Sequence, residues 1–192
     1  MKKVNTILKM TALILTVITS TGCNNFTPTN EEAKELITIA LGLPKNVTEN
    51  VTGADVFKWP KLRDAGFIYD PGNCSFGCDL QVTVKGEQYL LKDVGEGGYP
   101  MEYNTLIFQG YRIDLGDVTG IAVDKKQQIV LIRFYLKATN ITPISEALHD
   151  NINTVRNSEL IFKKFNNGWQ LASENNKSKD DLLRNIWWSQ DE

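Results

Sequence analysis

The stretch Gln128-Ile129-Val130-Leu131-Ile132-Arg133-Phe134-Tyr135-Leu136-Lys137-Ala138-Thr139 decides the fold. Val130, Ile132, Phe134 and Leu136 share one face, and Ile129, Leu131, Arg133, Tyr135 and Lys137 share the other. A period of two over this length is a β-strand. One wholly apolar face and one mixed face place it at the centre of a sheet, with a core on one side only. The strand is entered through Asp124-Lys125-Lys126-Gln127, which is turn chemistry. It is left through residues 140–157, a connection that holds Pro143 and a short helix near 145–149. Residues 158–165 then alternate again, with Leu160 and Phe162 on one side. Asn166-Asn167-Gly168 turns the chain, and Trp169-Gln170-Leu171 pairs back as a hairpin.

Working towards the N-terminus, residues 118–123, 111–115 and 105–108 read as three further short strands. Residues 93–104 carry Gly95, Gly97, Gly98 and Pro100 and read as a mobile loop. Leu80, Val82 and Val84 alternate, Lys85-Gly86 turns, and residues 88–91 return, which predicts another hairpin. Residues 45–73 have no clear period. They offer a short strand or irregular structure within 51–59, one helical turn over 61–66 closed by Gly66, and a short strand at 67–69. Before them, Thr29 or Asn30 caps a helix with Glu31 and Glu32 in its first turn. Ala33, Leu36, Ile37, Ala40 and Leu41 recur at helical spacing, and Gly42 and Pro44 end the helix. At the other end, Asp180 and Asp181 open a helix from about residue 179. Leu182, Leu183, Ile186 and Trp187 share one side of it, which docks Trp187 and leaves Trp188 exposed.

One helix followed by antiparallel strands is an α+β fold: an N-terminal helix on a curved, mostly antiparallel sheet, with a short C-terminal helix. The closing pattern, a long central strand ending in Thr139-Asn140-Ile141-Thr142-Pro143 and a last hairpin ending in Gly168-Trp169-Gln170-Leu171, resembles the cystatin-like and NTF2-like sheets of small bacterial envelope lipoproteins. The resemblance covers residues 128–171. Those folds carry enzymes, pockets and interaction modules alike, so it implies architecture rather than activity.

The first 23 residues supply an address. Lys2, Lys3 and Lys9 precede an apolar run over residues 10–18, and small residues lead to Cys23. This order of charge, grease and small residues is that of a secretory signal, too short for a stable membrane span. Ser20-Thr21-Gly22-Cys23 resembles a bacterial lipobox, although Ser20 stands where Leu is commonest. The resemblance implies cleavage before Cys23 and acylation of that cysteine, since several acyl chains anchor where one binds marginally. Asn24, not Asp, follows it, which by the sorting rule of Gram-negative lipoproteins implies the outer membrane, facing the periplasm. The expected divisions are a signal at 1–22, a lipidated cysteine and tether at 23–30, an α+β domain at 31–173, and a linker with the C-terminal helix at 174–192.

Cys74 and Cys78 remain, in Asn73-Cys74-Ser75-Phe76-Gly77-Cys78-Asp79. A close even pair outside the cytosol is most simply a disulfide. The Cys-x-x-x-Cys spacing is not that of a thioredoxin-like site. A metal would need further ligands, and the only histidine, His149, is far along the chain.

His149 stands beside Asp150, but no Gly-x-Ser-x-Gly elbow exists to join them in a triad. Gly95-Glu96-Gly97-Gly98 lacks the spacing and following helix of a phosphate cradle, so no cofactor is implied. Tyr99, Met101 and Tyr103, with Gly97 and Gly98, suit the tip of a partner-binding loop. The net charge is −2 before the signal lysines are removed, and no basic stretch dominates, which argues against nucleic acid as a partner. Three functions fit. The leading one is a non-enzymatic binding module held to the membrane by its lipid, for example an immunity or inhibitor protein that meets a toxin or another envelope protein. The others are an envelope hydrolase with scattered carboxylates gathered in the sheet cavity, and a structural part of an envelope assembly.

Overall fold

The computed structural model describes residues 26–70, 72, 77–95, 103–172 and 178–188. Helix α1 (Asn30–Leu41) begins at a capping box: Thr29 accepts from the Glu32 amide while Glu32 reaches back to the Thr29 amide at 2.8 Å. Gly42, at φ 67°, ends it in the left-handed region where glycine carries no Cβ penalty. Ala33, Ile37 and Leu41 form its buried stripe.

The sheet contains β1 (Lys45–Thr52), β2 (Leu90–Val94), β3 (Thr105–Asp124), β4 (Ile129–Thr139), β5 (Arg156–Phe165) and β6 (Gly168–Leu171). Its order is β1-β3-β4-β5-β6, every pairing is antiparallel, and β2 adds to β3 beside β4. The helices are α1, α2 (Lys58–Asp64), the single turn α3 (Val84–Glu87), α4 (Pro143–Leu148) and α5 (Lys179–Trp188). The fold is therefore α+β, with a helix packed on a curled antiparallel sheet and a short C-terminal helix, as expected.

The three short strands expected over residues 105–123 are one 20-residue strand. The breaks in the sequence pattern are its bulges. Val47 pairs with Tyr111 and Thr48 with Gln109, so Gly110 is the extra residue. A Cβ on Gly110 would lie 2.6 Å from the Val47 carbonyl oxygen, which explains glycine there. The bulge switches the inward positions from Leu106 and Phe108 to Tyr111 and Ile113 while keeping all four on the helix side. Further register shifts between Leu115 and Gly120 repeat the device and curl the sheet. A strand that changes phase three times cannot be read as one strand by alternation alone.

The hairpin expected from residues 80–91 does not form. Val82 makes only an isolated bridge to Ile68, and Val84 is exposed at the start of α3. The Thr83 hydroxyl caps the Gly86 amide, and a Cβ on Gly86 would meet the Phe67 carbonyl oxygen at 2.2 Å. Local capping and close approach win over alternation. The return strand is β2, starting at Leu90 rather than at 88. Residues 45–52, which carried no clear period, form β1, and the helical turn expected at 61–66 is α2, beginning at Lys58.

All the buried positions of β3, β4 and β5 face the helices, but they fill two adjoining cores. The larger joins α1, α5, the second half of β3, β4 and β5 around Phe134, Leu136, Ile132 and Phe162. The smaller joins α2, α4, β1 and the first half of β3 around Phe108, Leu106 and Leu62. Helix α5 contributes Leu183 and Trp187 to the larger core, with Trp188 exposed at its edge. At the other end, Phe26 meets Trp169 edge-on at 5.2 Å and Pro28 is buried, so the chain is already docked at residues expected to be tether. Among the described residues no helix is long and apolar enough to cross a membrane.

Candidate functional site

The seam between the two cores is open at one end. There the loop after α4, the start of β5, the middle of β3 and the end of α5 surround a cleft of about 780 Å³. Its walls are Tyr111, Trp187 and Trp188 on the aromatic side. His149, Asp150, Asn151, Thr154 and Arg156 form the polar side.

The sequence places His149 there by simple means. Thr142 accepts from the Ser145 amide and Pro143 fills the first helical turn, so α4 starts sharply. Six residues later the helix stops, and His149 follows in extended conformation with its amide held by the Ser145 carbonyl. Its ring lies 6.2 Å from that of Tyr111, edge to face.

Behind His149 stands Glu49, a buried carboxylate on β1. Its Oε1 accepts from the Ser145 hydroxyl at 2.8 Å and lies 3.0 Å from His149 Nε2. Burial by itself pushes the Glu49 pKa up. The hydrogen bond from His149, the imidazolium charge, the Ser145 hydroxyl and the Lys58 charge together outweigh burial and hold it below the ordinary 4.5. An ionised carboxylate only accepts, so the hydrogen of this bond is on Nε2. In the neutral ring Nδ1 then carries the lone pair, and among the described residues it has no partner.

This is not a serine triad. In a triad the histidine lies between hydroxyl and acid, whereas here the acid lies between the other two. Ser145 is wholly buried and its hydroxyl is committed to Glu49, so it is no nucleophile. The arrangement gives an imidazole held by a carboxylate at the edge of a cleft.

The aromatic wall is equally fixed. Trp187 Nε1 donates to Tyr111 Oη at 3.0 Å, and both side chains are buried. Trp188 lies 6.1 Å from Trp187 and 6.3 Å from Tyr111 between ring centres. The Arg156 guanidinium lies 6.0 Å from the Trp187 ring, a cation–π distance. Lys61, from α2, bonds the Leu148 carbonyl at 3.2 Å and approaches Asp150 at 3.5 Å, which closes the rim.

Of the residues singled out from sequence, His149 and Asp150 line this cleft, joined by Trp187 and Trp188. Tyr103 does not. Its ring lies against Gly77, where a Cβ would approach it to 2.4 Å. Gly97, Gly98, Tyr99 and Met101 lie outside the described residues, as do Cys23 and Cys74; of the cysteine pair only Cys78 is described. The scattered acids act locally. Asp124 accepts from the Lys126 and Gln127 amides, Asp114 pairs with Arg112, and Asp117 accepts from Tyr135. Among the described residues no three His, Cys, Asp or Glu side chains are placed to hold a metal ion.

Sequence reading missed Glu49, Ser145, Tyr111 and Arg156. A signal existed for two of them. Glu49 is in phase with Val47 and Val51, and Arg156 with Leu160 and Phe162, so each is a charge on an inward face. For Ser145 and Tyr111 the sequence holds no such sign.

No protein-family model, curated protein or solved structure matches this chain.

Proposed function

We propose that this chain is a lipoprotein of the cell envelope, anchored through Cys23, whose domain is a binding module and whose cleft receives the ligand or a partner's side chains. The observation that carries the binding reading is the cleft itself. Its aromatic wall and buried guanidinium are fixed before any ligand arrives, which keeps the ordering cost of binding low. Among the described residues, the only hydroxyl bonded to its acid–histidine pair is sealed in the interior. An immunity or inhibitor protein is one form of such a module, with an envelope protein or a toxin as partner. The acidic net charge would speed its meeting with a basic partner. The anchoring side of the proposal comes from the lipobox resemblance, with the outer membrane facing the periplasm as the site. The Cys74–Cys78 disulfide belongs to the same proposal, because that compartment is oxidising.

Labelling with radioactive palmitate tests the anchor. The chain is expected to take up label and to partition with membranes, and Cys23→Ser is expected to lose both. A soluble, unlabelled product that still begins at Met1 would remove the anchoring half.

A second reading has one specific observation in its favour. The Glu49–His149 pair is a general base with its orienting acid, opening on a cleft that also holds Asp150. A hydrolase built this way would activate water rather than a side-chain nucleophile. Hydrolysis of p-nitrophenyl acetate by the full chain, lost in His149→Gln, is its expected sign. A rate no greater than that of buffer alone would eliminate this reading and leave the binding module.

A further inference from the structure

Resting on the reading of this cleft as a ligand site, we infer that it takes a saccharide, with one pyranose ring stacked on Trp188. Trp188 is 45% exposed although its ring is gathered against Tyr111 and Trp187. It is therefore held on its inner side and open towards the cleft. An indole face is apolar, flat and close to a pyranose in size, and the C–H-rich face of a sugar presents hydrogens of slight positive charge to it.

The polar groups opposite are of mixed character. Asp150 only accepts, Arg156 only donates, and Asn151 and Thr154 do both. His149 lines the cleft beside them. Sugar hydroxyls donate and accept at once, so this set complements them. An anion would call for donors alone, and a cation for acceptors alone. The volume of about 780 Å³ leaves room for a short oligosaccharide rather than a single ring.

The test uses the full chain in detergent, titrated by calorimetry and tryptophan fluorescence. One set of probes is maltotetraose, cellotetraose and chitotetraose, and the comparison probe is phenyl phosphate, an aromatic anion. Saturable binding of at least one tetrasaccharide is expected. Trp188→Ala should weaken it by about tenfold or more, and Trp188→Phe, which keeps a flat face, by no more than about threefold. Both variants are compared at unchanged near-ultraviolet circular dichroism, which reports that the aromatic wall is still packed. If phenyl phosphate binds, is lost in Trp188→Ala, and no tetrasaccharide binds, the saccharide inference fails while the cleft remains a ligand site. Failure of every probe to bind the folded protein overturns both. Saccharide binding that survives Trp188→Ala unchanged overturns the stacking on Trp188.

Discussion

Replacing Trp187 by alanine is expected to cost the domain about 3–5 kcal/mol, the range for removing a large aromatic side chain from a core. Trp187 is 4% exposed and lies in the larger core with Leu183, Tyr111 and Ile113. The substitution removes its packing, its hydrogen bond to Tyr111 and the ring beside which Arg156 lies. It also detaches α5, whose other buried anchor is Leu183. The neighbouring Trp188→Ala should cost about 1 kcal/mol or less, because that side chain lies at the edge of the core and is nearly half exposed. Urea unfolding of the two variants gives the comparison. Equal, small losses would mean that α5 rests on the surface and takes no part in the core.

Glu49→Ala is the second large effect, expected at about 3 kcal/mol. A hydrogen bond to a charged group contributes about 1.5–3 kcal/mol, and leaving a buried hydroxyl unsatisfied costs about 1–3 kcal/mol. Here the buried Ser145 hydroxyl loses its acceptor and His149 loses the group that orients it. The same carboxylate makes stability depend on pH. Its folded pKa is lower than the unfolded value near 4.5, so the unfolded state binds the proton more readily. The stabilisation is complete above 4.5 and is lost as pH falls from there through the lower folded value. Glu49→Gln cannot titrate, so its unfolding free energy should fall less steeply over that acid window. Unfolding curves taken from pH 6 down to about pH 3 would show it. Parallel slopes for the two proteins would mean that Glu49 is not ionised against His149 in the folded state.

Both predictions rest on residues that differ in how visible they were. Trp187 could be placed from its own helix, because Leu183 and Trp187 are four apart and fall on one side. Glu49 could not. Its neighbours in Asn46-Val47-Thr48-Glu49-Asn50-Val51 mix polar and apolar residues too evenly to declare a strand. Its partners Ser145 and His149 are about a hundred positions away.

The sequence alone determined the secondary structure wherever one local period persists: α1, β4, the β5–β6 hairpin and α5. These follow from steric and capping preferences that act within a few residues. The class of the fold follows from their order. The tertiary structure alone decided that the pieces over 105–123 are a single bulged strand, because a bulge is defined by the partner strand it is paired with. It alone decided that Lys85-Gly86 belongs to a helical turn, because the contact with Phe67 closes it. It also decided the cleft. Glu49, Tyr111, His149, Arg156 and Trp188 come from five separate elements or connections, and burial and distance, which bring them together, are properties of the folded chain and not of any one segment of it.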